Sequence, residues 1–128
     1  MDEQFLYMIH VKNIHTGNLY IKLGYTSDIL RRMEELAKRN THYEYSNIQL
    51  YQHSKKILGY IHDEQKIHST HKKNRAYIKR DSMPEGYTEC YDSYYKNDLV
   101  KHFRYLGYLC VYDEYYESTK EQPMFEWE

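Results

Sequence analysis

The sequence has little cysteine and no long hydrophobic run. Its two cysteines, Cys90 and Cys110, stand far apart, and neither belongs to a CxxC pair. No segment approaches the roughly 18 consecutive apolar residues that a membrane-spanning helix needs. The acidic first residues, MDEQFLYMIHVKN, do not resemble a secretory signal. We therefore expect a soluble, intracellular protein with two ordinary thiols, and a disulfide between them is left open.

Internal repeats and low-complexity linkers are also missing. The 128 residues are enough for one modest core. Hydrophobic residues make up 41% of the chain, yet its mean hydropathy is -0.97 and it has 17 tyrosines, whose hydroxyls need partners when buried. Tyrosine, lysine and isoleucine at this abundance are also what an AT-rich genome produces, so the composition alone does not indicate stacking on bases.

Charge is divided unevenly along the chain, although the formal net charge is only -1. Residues 1–80 have 14 Lys+Arg and 8 Asp+Glu, whereas residues 81–128 have 4 and 11. The basic part is compatible with a polyanionic partner, and the acidic part could compete with it. We divide the chain into a domain of residues 1–106 and an acidic, tyrosine-rich extension of residues 107–128.

The spacing of apolar residues predicts the order ββαβα in the first part of the chain. FLYMIHV alternates with the period of a strand, and the turn-rich NIHTGN joins it to a second strand, LYIKLGY, as a hairpin. A helix capped by Ser27 or Asp28 follows. Its predicted apolar face consists of Ile29, Met33 and Leu36.

The rest of the chain contains further predicted elements. THYEYSNIQLYQ has the composition of a third strand, and residues 54–73 are predicted to form a long helix. Its expected apolar residues are Ile57, Ile61 and Ile67. NDLVKHFRYLG predicts a helix capped by Asn97 and ended by Gly107, YLCVY predicts a last strand, and Tyr91 is expected in the core.

The stretch YIKLGYTSDILRRMEEL combines three features that favour a phosphate site. Lys22 alternates with apolar neighbours, so it lies on the opposite face of its strand from them. Gly24 leaves room for close approach of a backbone or a ligand. Arg32 follows in the first helical turns, and an ammonium with a guanidinium fork matches phosphate oxygens. The alternative, that Lys22, Arg31 and Arg32 are solvated surface charges, stays open.

Glu64 is a second candidate, because the spacing places it on the inner stripe of the long helix with Ile57 and Ile61. A buried carboxylate needs an arginine, a metal ion or hydrogen bonds, and Mg²⁺ suits a lone carboxylate with phosphate oxygens. One alternative is a slightly rotated helix with Glu64 at the boundary, paired to a lysine or arginine. Another is a Zn²⁺ site of Glu64, His68 and His71 on one helix face.

Four segments together resemble the GIY-YIG nuclease domain, in the viral and bacterial branch whose second motif reads KIG. FLYMI stands where the first motif's strand belongs, and IKLGYTSDILRRMEEL resembles the second motif with the helix after it. HDEQKIHSTHKK resembles the helix with the metal-binding glutamate, and GYTECY the acidic-aromatic motif that follows. The resemblance covers residues 4–104 and implies an α+β fold, a small antiparallel three-stranded sheet flanked by helices, with a C-terminal helical extension.

The resemblance implies a metal-dependent endonuclease that hydrolyses phosphodiester bonds in nucleic acid, with DNA as the expected substrate and RNA left open. The catalytic positions carried over are Tyr7, Tyr20, Lys22, Arg32 and Glu64. Tyr20 is an alternative to Tyr7, because the link from Tyr7 to Gly24 is long and requires either an extended hairpin or a different tyrosine. Glu64 would hold Mg²⁺ or Mn²⁺, Arg32 would stabilise charge on the phosphoryl group, and the tyrosine would activate water with help from Lys22.

Nucleic acid is the expected partner, because residues 55–80 have 8 Lys+Arg and 2 Asp+Glu. The candidate contact residues are Arg31, Lys66, Lys72, Lys73 and Arg75. Two alternatives stay open, a related domain that binds nucleic acid without cutting it and a viral or mobile-element accessory protein that acts through protein contacts. We expect sequence specificity to be low or to come from a homodimer or a targeting partner.

Overall fold

A computed structural model describes residues 3–39 and 41–116, and only the backbone of residues 36–39. In chain order the elements are β1 (Phe5–Asn13), β2 (Leu19–Thr26), α1 (Ile29–Arg39), β3 (Tyr43–His53), α2 (Tyr60–Thr70), β4 (Cys90–Asp92), α3 (Lys96–Tyr105) and β5 (Tyr108–Asp113), with short 3₁₀ turns at Lys72–Asn74 and Ser93–Tyr95.

The five strands form one antiparallel sheet in the order β4-β2-β1-β3-β5. The α+β class is therefore confirmed, whereas the sheet has five strands rather than the three that the resemblance implies. The two additional strands lie at the edges. β4 has only three residues, too few for an alternating pattern to reveal, and the sequence predicts β5 as a strand without giving its place in the sheet.

The first two strands form an extended hairpin. Their register places Tyr7 directly opposite Gly24 and Ile9 opposite Lys22. The turn between them includes Gly17, which has a φ of 79°, a left-handed conformation that favours glycine. The long link between Tyr7 and Gly24 is thus accommodated by the length of the hairpin.

The sheet is covered on both faces, and β1 contributes alternate residues to each. On one face, α2 and α3 pack against a core that includes Leu6, Met8, Ile21, Leu23, Ile67 and Phe103. On the other face, α1 and the segment between α2 and β4 cover Tyr7, Ile9, Val11 and Cys90, and this segment contributes Ile78 and Met83 to the same core. The middle of β1 is therefore buried on both sides, at Leu6, Tyr7, Met8 and Ile9.

Helix α1 follows the sequence prediction. Asp28 caps it, since its Oδ1 accepts a hydrogen bond from the backbone N–H of Arg31 at 3.2 Å. Ile29 and Met33 pack against the core on their side of the sheet. The side chain of Leu36, the third predicted member of this apolar face, lies outside the described residues.

Helix α2 is shorter than predicted. The sequence pattern indicates a helix over residues 54–73, whereas α2 spans Tyr60–Thr70. Gly59 precedes it with a φ of 82°, in the left-handed region, so the helix cannot extend back through this residue. The prediction failed because the spacing of the isoleucines continues across Gly59 as though the helical backbone did.

The buried face of α2 is also not the predicted one. Ile57 and Ile61 are 70% and 40% exposed, and of the three predicted isoleucines only Ile67 is buried. The buried residues of α2 are Tyr60, Asp63, Glu64 and Ile67. Glu64 therefore lies on the inner face, as expected, but between Tyr60 and Ile67 rather than in a stripe of isoleucines.

The predicted C-terminal helical extension is α3 followed by a strand. α3 begins at Lys96, one residue before the predicted cap Asn97, and Gly107 follows its end with a φ of 99°. β5 then pairs with β3, so part of the predicted extension belongs to the sheet. Residues 117–128 lie outside the described residues, and the boundary at residue 106 stays a prediction.

Three smaller expectations can be compared with the structure. Tyr91 is fully buried, as predicted. Cys90 is buried and Cys110 is exposed, and both are free thiols rather than a disulfide. None of the helices in residues 3–39 and 41–116 is long and apolar enough to cross a membrane.

Candidate active site

The site lies at an edge of the sheet that β4 covers only in part. β4 pairs with Tyr20 to Lys22 and stops there. At the next residue, the backbone N–H of Leu23 donates to the carbonyl of Glu89 at 3.0 Å. The carbonyl of Leu23 accepts from Nε2 of His68, also at 3.0 Å. These two bonds bring the loop before β4 and the helix α2 to the same point of the edge.

Lys22 is the central residue of the site. Its side chain is buried, and Nζ donates to the hydroxyl of Tyr7 at 3.0 Å and to Oε1 of Glu89 at 2.9 Å. Burial disfavours the charged ammonium, but Tyr7 and Glu89 outweigh it and hold the pKa of Lys22 above its ordinary value. Lys22 is therefore a fixed positive charge, not a proton acceptor.

Two glycines make room for this arrangement. A Cβ on Gly24 would lie 2.5 Å from both Cζ and Oη of Tyr7. A Cβ on Gly86 would collide with Cε of Lys22, and Gly86 also has a φ of 87°. Neither position can hold a larger residue without moving Tyr7 or Lys22. The space at Gly24 is thus filled by the protein's own tyrosine, where the sequence suggested a backbone or a ligand.

Two carboxylates and an imidazole meet beside Lys22. Glu64, His68 and Glu89 each direct one possible ligand atom to the same place, and these atoms all lie within 4.8 Å of one another. Burial, and then the charge of Glu89, raise the pKa of Glu64 to about 7. Burial lowers the pKa of His68 and favours its neutral form. This oxygen-rich donor set fits a divalent cation, which would offset the repulsion between the carboxylates.

Glu89 is the important site residue that the sequence reasoning missed. It lies within GYTECY, an acidic-aromatic motif to whose carboxylate the sequence pattern gives no role. The signal that could have identified it is an acidic residue directly before a strand of mainly buried residues, Cys90–Asp92. Its partner Lys22 is far away in sequence, and the pairing becomes visible only when β4 lies beside β2.

A cavity of about 270 Å³ opens next to these groups. Its lining combines three basic and three acidic side chains with two tyrosines and a glycine, namely Lys22, Arg31, Arg32, Glu35, Glu85, Glu89, Tyr7, Tyr25 and Gly86. Nε of Arg32 is buried and has no hydrogen-bond partner among the described residues. The guanidinium is otherwise 3.8 Å from the carboxylate of Glu35. An anion in the cavity could accept the free N–H of Arg32 while lying close to Lys22.

The structure brings most of the predicted catalytic residues together. Tyr7, Lys22 and Arg32 line the cavity, and Glu64 lies beside Glu89, which also lines it. Tyr20 is the exception. It stands opposite Asp92 in β4 and packs edge-on against Tyr43, with ring centroids 6.5 Å apart, and it is not part of the cavity lining.

The predicted zinc ligands do not converge. His71 is directed away from Glu64, because its Nδ1 lies 2.5 Å from the Tyr95 hydroxyl and its Nε2 lies 2.9 Å from Nδ1 of His102. Glu89 takes the third place beside Glu64 and His68 instead.

The predicted nucleic-acid contacts occupy two regions. Arg31 lines the cavity and pairs with Asp28 at 3.7 Å. Lys66 on α2 and Lys72 and Lys73 in the following turn are exposed, and Arg75 donates to the carbonyl of Thr88 at 3.1 Å. These positions are compatible with contacts to phosphates, which stay a prediction.

The fold and the site define a small α+β domain with buried carboxylates, an ammonium and a guanidinium at one open sheet edge. The chain belongs to the T5orf172 domain family, whose sequence profile matches residues 4–104. This family is associated with nuclease-type proteins of phages, and membership indicates a nuclease-like or nucleic-acid-binding role. No curated protein and no solved structure matches the chain.

Proposed function

We propose that the protein is a metal-dependent endonuclease of the GIY-YIG type, which hydrolyses phosphodiester bonds in nucleic acid, with DNA as the expected substrate. The observation that supports this most strongly is the convergence of Tyr7, Lys22, Arg32 and Glu64 at one sheet edge, from separate segments of the chain. Membership of a family associated with nuclease-type proteins supports the same class of activity.

Arg32 and Lys22 would bind the scissile phosphate. The buried N–H at Nε of Arg32 lacks a partner among the described residues, so a phosphate oxygen that accepts it removes an unsatisfied group as well as forming a charge-assisted bond. Lys22 is fixed within the same cavity lining. A guanidinium and an ammonium held beside the phosphate would stabilise its developing negative charge.

Tyr7 would orient or deprotonate the attacking water. Its hydroxyl oxygen accepts a hydrogen bond from Lys22 at 3.0 Å, which leaves its own hydrogen for another acceptor. The bond fixes the hydroxyl at the cavity, where it can hold and orient a water molecule for attack.

Glu64 would hold the divalent ion, Mg²⁺ or Mn²⁺. When bound, such an ion polarises a non-bridging phosphate oxygen and stabilises the leaving oxygen. Outside the cavity, basic residues on α2 and after it would contact the flanking backbone. These residues are Lys66, Lys72, Lys73 and Arg75, and Arg31 stands at the cavity itself.

The alternative is a viral or mobile-element protein that binds nucleic acid or a protein partner without cutting. Such a protein would need only the residues outside the cavity.

A nicking assay on supercoiled plasmid with Mg²⁺ or Mn²⁺ tests the proposal. We expect wild type to cut, and Glu64→Ala and Arg32→Ala to lose activity, as does wild type in EDTA. Glu44→Ala and Arg104→Ala are matched controls, because both residues are exposed and neither lines the cavity. If wild type leaves plasmid, single-stranded DNA, modified DNA and RNA intact but still binds one of them, the endonuclease proposal is wrong and the binding alternative replaces it.

A further inference from the structure

We propose that the metal ion is held by three protein ligands, Glu64, His68 and Glu89, and that this site selects Mn²⁺ over Mg²⁺. The inference builds on the proposed function, which requires a divalent ion only at Glu64. It adds two ligands and a metal preference that follow from the chemistry of the added donors.

The backbone already directs the three side chains to one point. Glu64 and His68 are one turn apart on the same face of α2, with Oε2 of Glu64 3.9 Å from Nε2 of His68. Glu89 approaches from the other side, fixed by the bond between its carbonyl and the N–H of Leu23. Two donors that share an ion at about 2.1 Å lie roughly 3 to 4.3 Å apart. Separations below 4.8 Å therefore require only small side-chain movements.

His68 can become a ligand by exchanging one tautomer for the other. Its Nε2 now faces the carbonyl of Leu23 at 3.0 Å, and since a carbonyl only accepts, Nε2 carries the hydrogen. Nδ1 then accepts from the hydroxyl of Tyr91 at 2.8 Å. If the hydrogen moves to Nδ1, Nε2 no longer donates to the Leu23 carbonyl, and a small turn of the ring away from that carbonyl directs Nε2 to the ion. Nδ1 then donates to the Tyr91 hydroxyl, which can accept. An outer hydrogen bond of this kind is usual for metal-bound histidine.

Glu89 can hold the ion without releasing Lys22. Only Oε1 accepts the bond from Lys22, at 2.9 Å, and a carboxylate has two oxygens with about four acceptor positions. The side chain of Glu89 is 31% exposed, whereas those of Glu64 and His68 are 12% and 13% exposed. The ion would thus be shielded by α2 and open towards the cavity on the side of Glu89, where water and phosphate oxygens can complete its coordination.

The donor set determines the metal preference. Mg²⁺ favours oxygen ligands and retains several of its waters. An imidazole nitrogen instead suits first-row transition ions, whose affinities exceed those expected from charge alone. Two carboxylates and one imidazole therefore favour Mn²⁺ over Mg²⁺, while Glu64 alone would give little discrimination.

Calorimetric titration of the full chain with MnCl₂ and MgCl₂, in the absence of nucleic acid, tests the site. We expect wild type to bind Mn²⁺ about 10-fold or more tightly than Mg²⁺. His68→Asn should weaken Mn²⁺ binding by about 10- to 100-fold and remove most of the preference. Glu89→Gln should weaken binding of both ions. His71→Asn is the matched control, since His71 directly follows α2 and is directed towards Tyr95, and it should bind like wild type.

Electron spin-echo spectroscopy of Mn²⁺ bound to wild type provides a second readout that does not depend on how the variants fold. Modulation from a directly coordinated nitrogen is the expected signature. In the calorimetric titration, Tyr91→Phe should reduce Mn²⁺ affinity by a smaller factor than His68→Asn. Absence of the nitrogen signal, equal affinities for the two ions, or wild-type binding by Glu89→Gln would overturn the three-ligand site.

The results also separate this inference from the proposed function. If only Glu64→Gln loses metal binding while the His68 and Glu89 variants bind metal and cut, the three-ligand site is wrong and the nuclease stands. If all three residues are needed to bind Mn²⁺ but no nucleic acid is cut, the site is correct and the nuclease is wrong.

Discussion

The ring of Tyr7 lies over Gly24, the residue directly opposite it in the neighbouring strand. This contact places the Tyr7 hydroxyl 3.0 Å from Nζ of Lys22, two residues before Gly24 on the same face of β2. The glycine is therefore required by a side chain that reaches across from β1, and it connects the hairpin to the proposed chemistry.

Gly24→Ala tests this contact. The added Cβ would lie 2.5 Å from Cζ and Oη of Tyr7, so the ring must move and its bond with Lys22 breaks. We expect cleavage to fall by about 100-fold or more and the free energy of unfolding to fall by about 1 to 3 kcal/mol. Plasmid nicking and urea unfolding measure the two effects.

Gly17→Ala is the matched control for Gly24→Ala. Gly17 has a φ of 79°, and a Cβ added there would meet nothing within 4 Å. Alanine at this position should therefore cost about 1 to 2 kcal/mol of stability from backbone strain and leave cleavage unchanged. Equal loss of cleavage in both variants would show that the effect at Gly24 is only a loss of stability.

Tyr7→Phe and Tyr20→Phe discriminate between the two candidate tyrosines. Tyr7 lines the cavity and bonds to Lys22, whereas Tyr20 does neither. Loss of the Tyr7 hydroxyl should lower the cleavage rate by about 10²- to 10⁴-fold, and Tyr20→Phe should cut like wild type. Single-turnover cleavage is the measurement, and the reverse result would make Tyr20 the catalytic tyrosine.

Arg32→Lys keeps the positive charge of Arg32 but removes its planar fork and the buried N–H at Nε. Because lysine is a point charge that cannot replace a bidentate donor, we expect cleavage to fall by about 100-fold. Arg104→Lys is the control, since Arg104 is exposed and does not line the cavity. Cleavage rates and nucleic-acid affinity by fluorescence anisotropy should be measured, and full activity of Arg32→Lys would contradict the assigned role.

The hydrogen-bonded pair of His71 and His102 should make the stability of the protein depend on pH. Their rings are joined by a hydrogen bond of 2.9 Å, which needs one nitrogen without a hydrogen. Burial lowers the pKa of both, and His71 further lowers that of His102. Below the ordinary histidine pKa of 6.5, the unfolded chain therefore binds more protons than the folded protein. The stability contributed by the pair is present above this pH and is lost as the pH falls below it.

Thermal unfolding at about pH 7.5 and about pH 5.5 measures this effect. We expect a lower melting temperature at the acidic pH and a smaller difference in the double variant His71→Gln/His102→Gln. His68, whose pKa is also lowered by burial, remains in the variant and accounts for some residual dependence. An unchanged difference between the two pH values in the double variant would exclude the pair as a source.

The two thiols should differ in reactivity. Burial raises the pKa of Cys90 to about 12 and the residue is inaccessible, whereas Cys110 is exposed on β5. A thiol reagent should therefore modify Cys110 quickly in the native protein and Cys90 only after unfolding. Titration with a chromogenic disulfide, with Cys110→Ser as the control, measures this, and absence of any reactive thiol in the native protein would contradict the exposure of Cys110.

Much of the fold could be predicted from the sequence because it depends on neighbours along the chain. The hairpin follows from alternation and a turn-rich loop, and α1 follows from the cap at Asp28 and the spacing of Ile29 and Met33. Alternation within β2 also predicted the face on which Lys22 lies. Prediction failed where a local signal was absent or misleading. The three-residue β4 is too short to show an alternating pattern. At Gly59, the spacing of the isoleucines suggests a helix that begins earlier than α2 does.

The sequence by itself determined the class of fold, the first hairpin and the kinds of side chain available for a phosphate and metal site. Only the tertiary structure decided which of them meet. Glu89 joins Lys22 and Glu64 because β4 pairs with β2, Tyr7 rather than Tyr20 lines the cavity because of the hairpin register, and His71 is directed towards Tyr95 and away from Glu64. These outcomes depend on contacts between residues distant in sequence, whose geometry is set by the packing of the whole sheet and which local periodicity cannot encode.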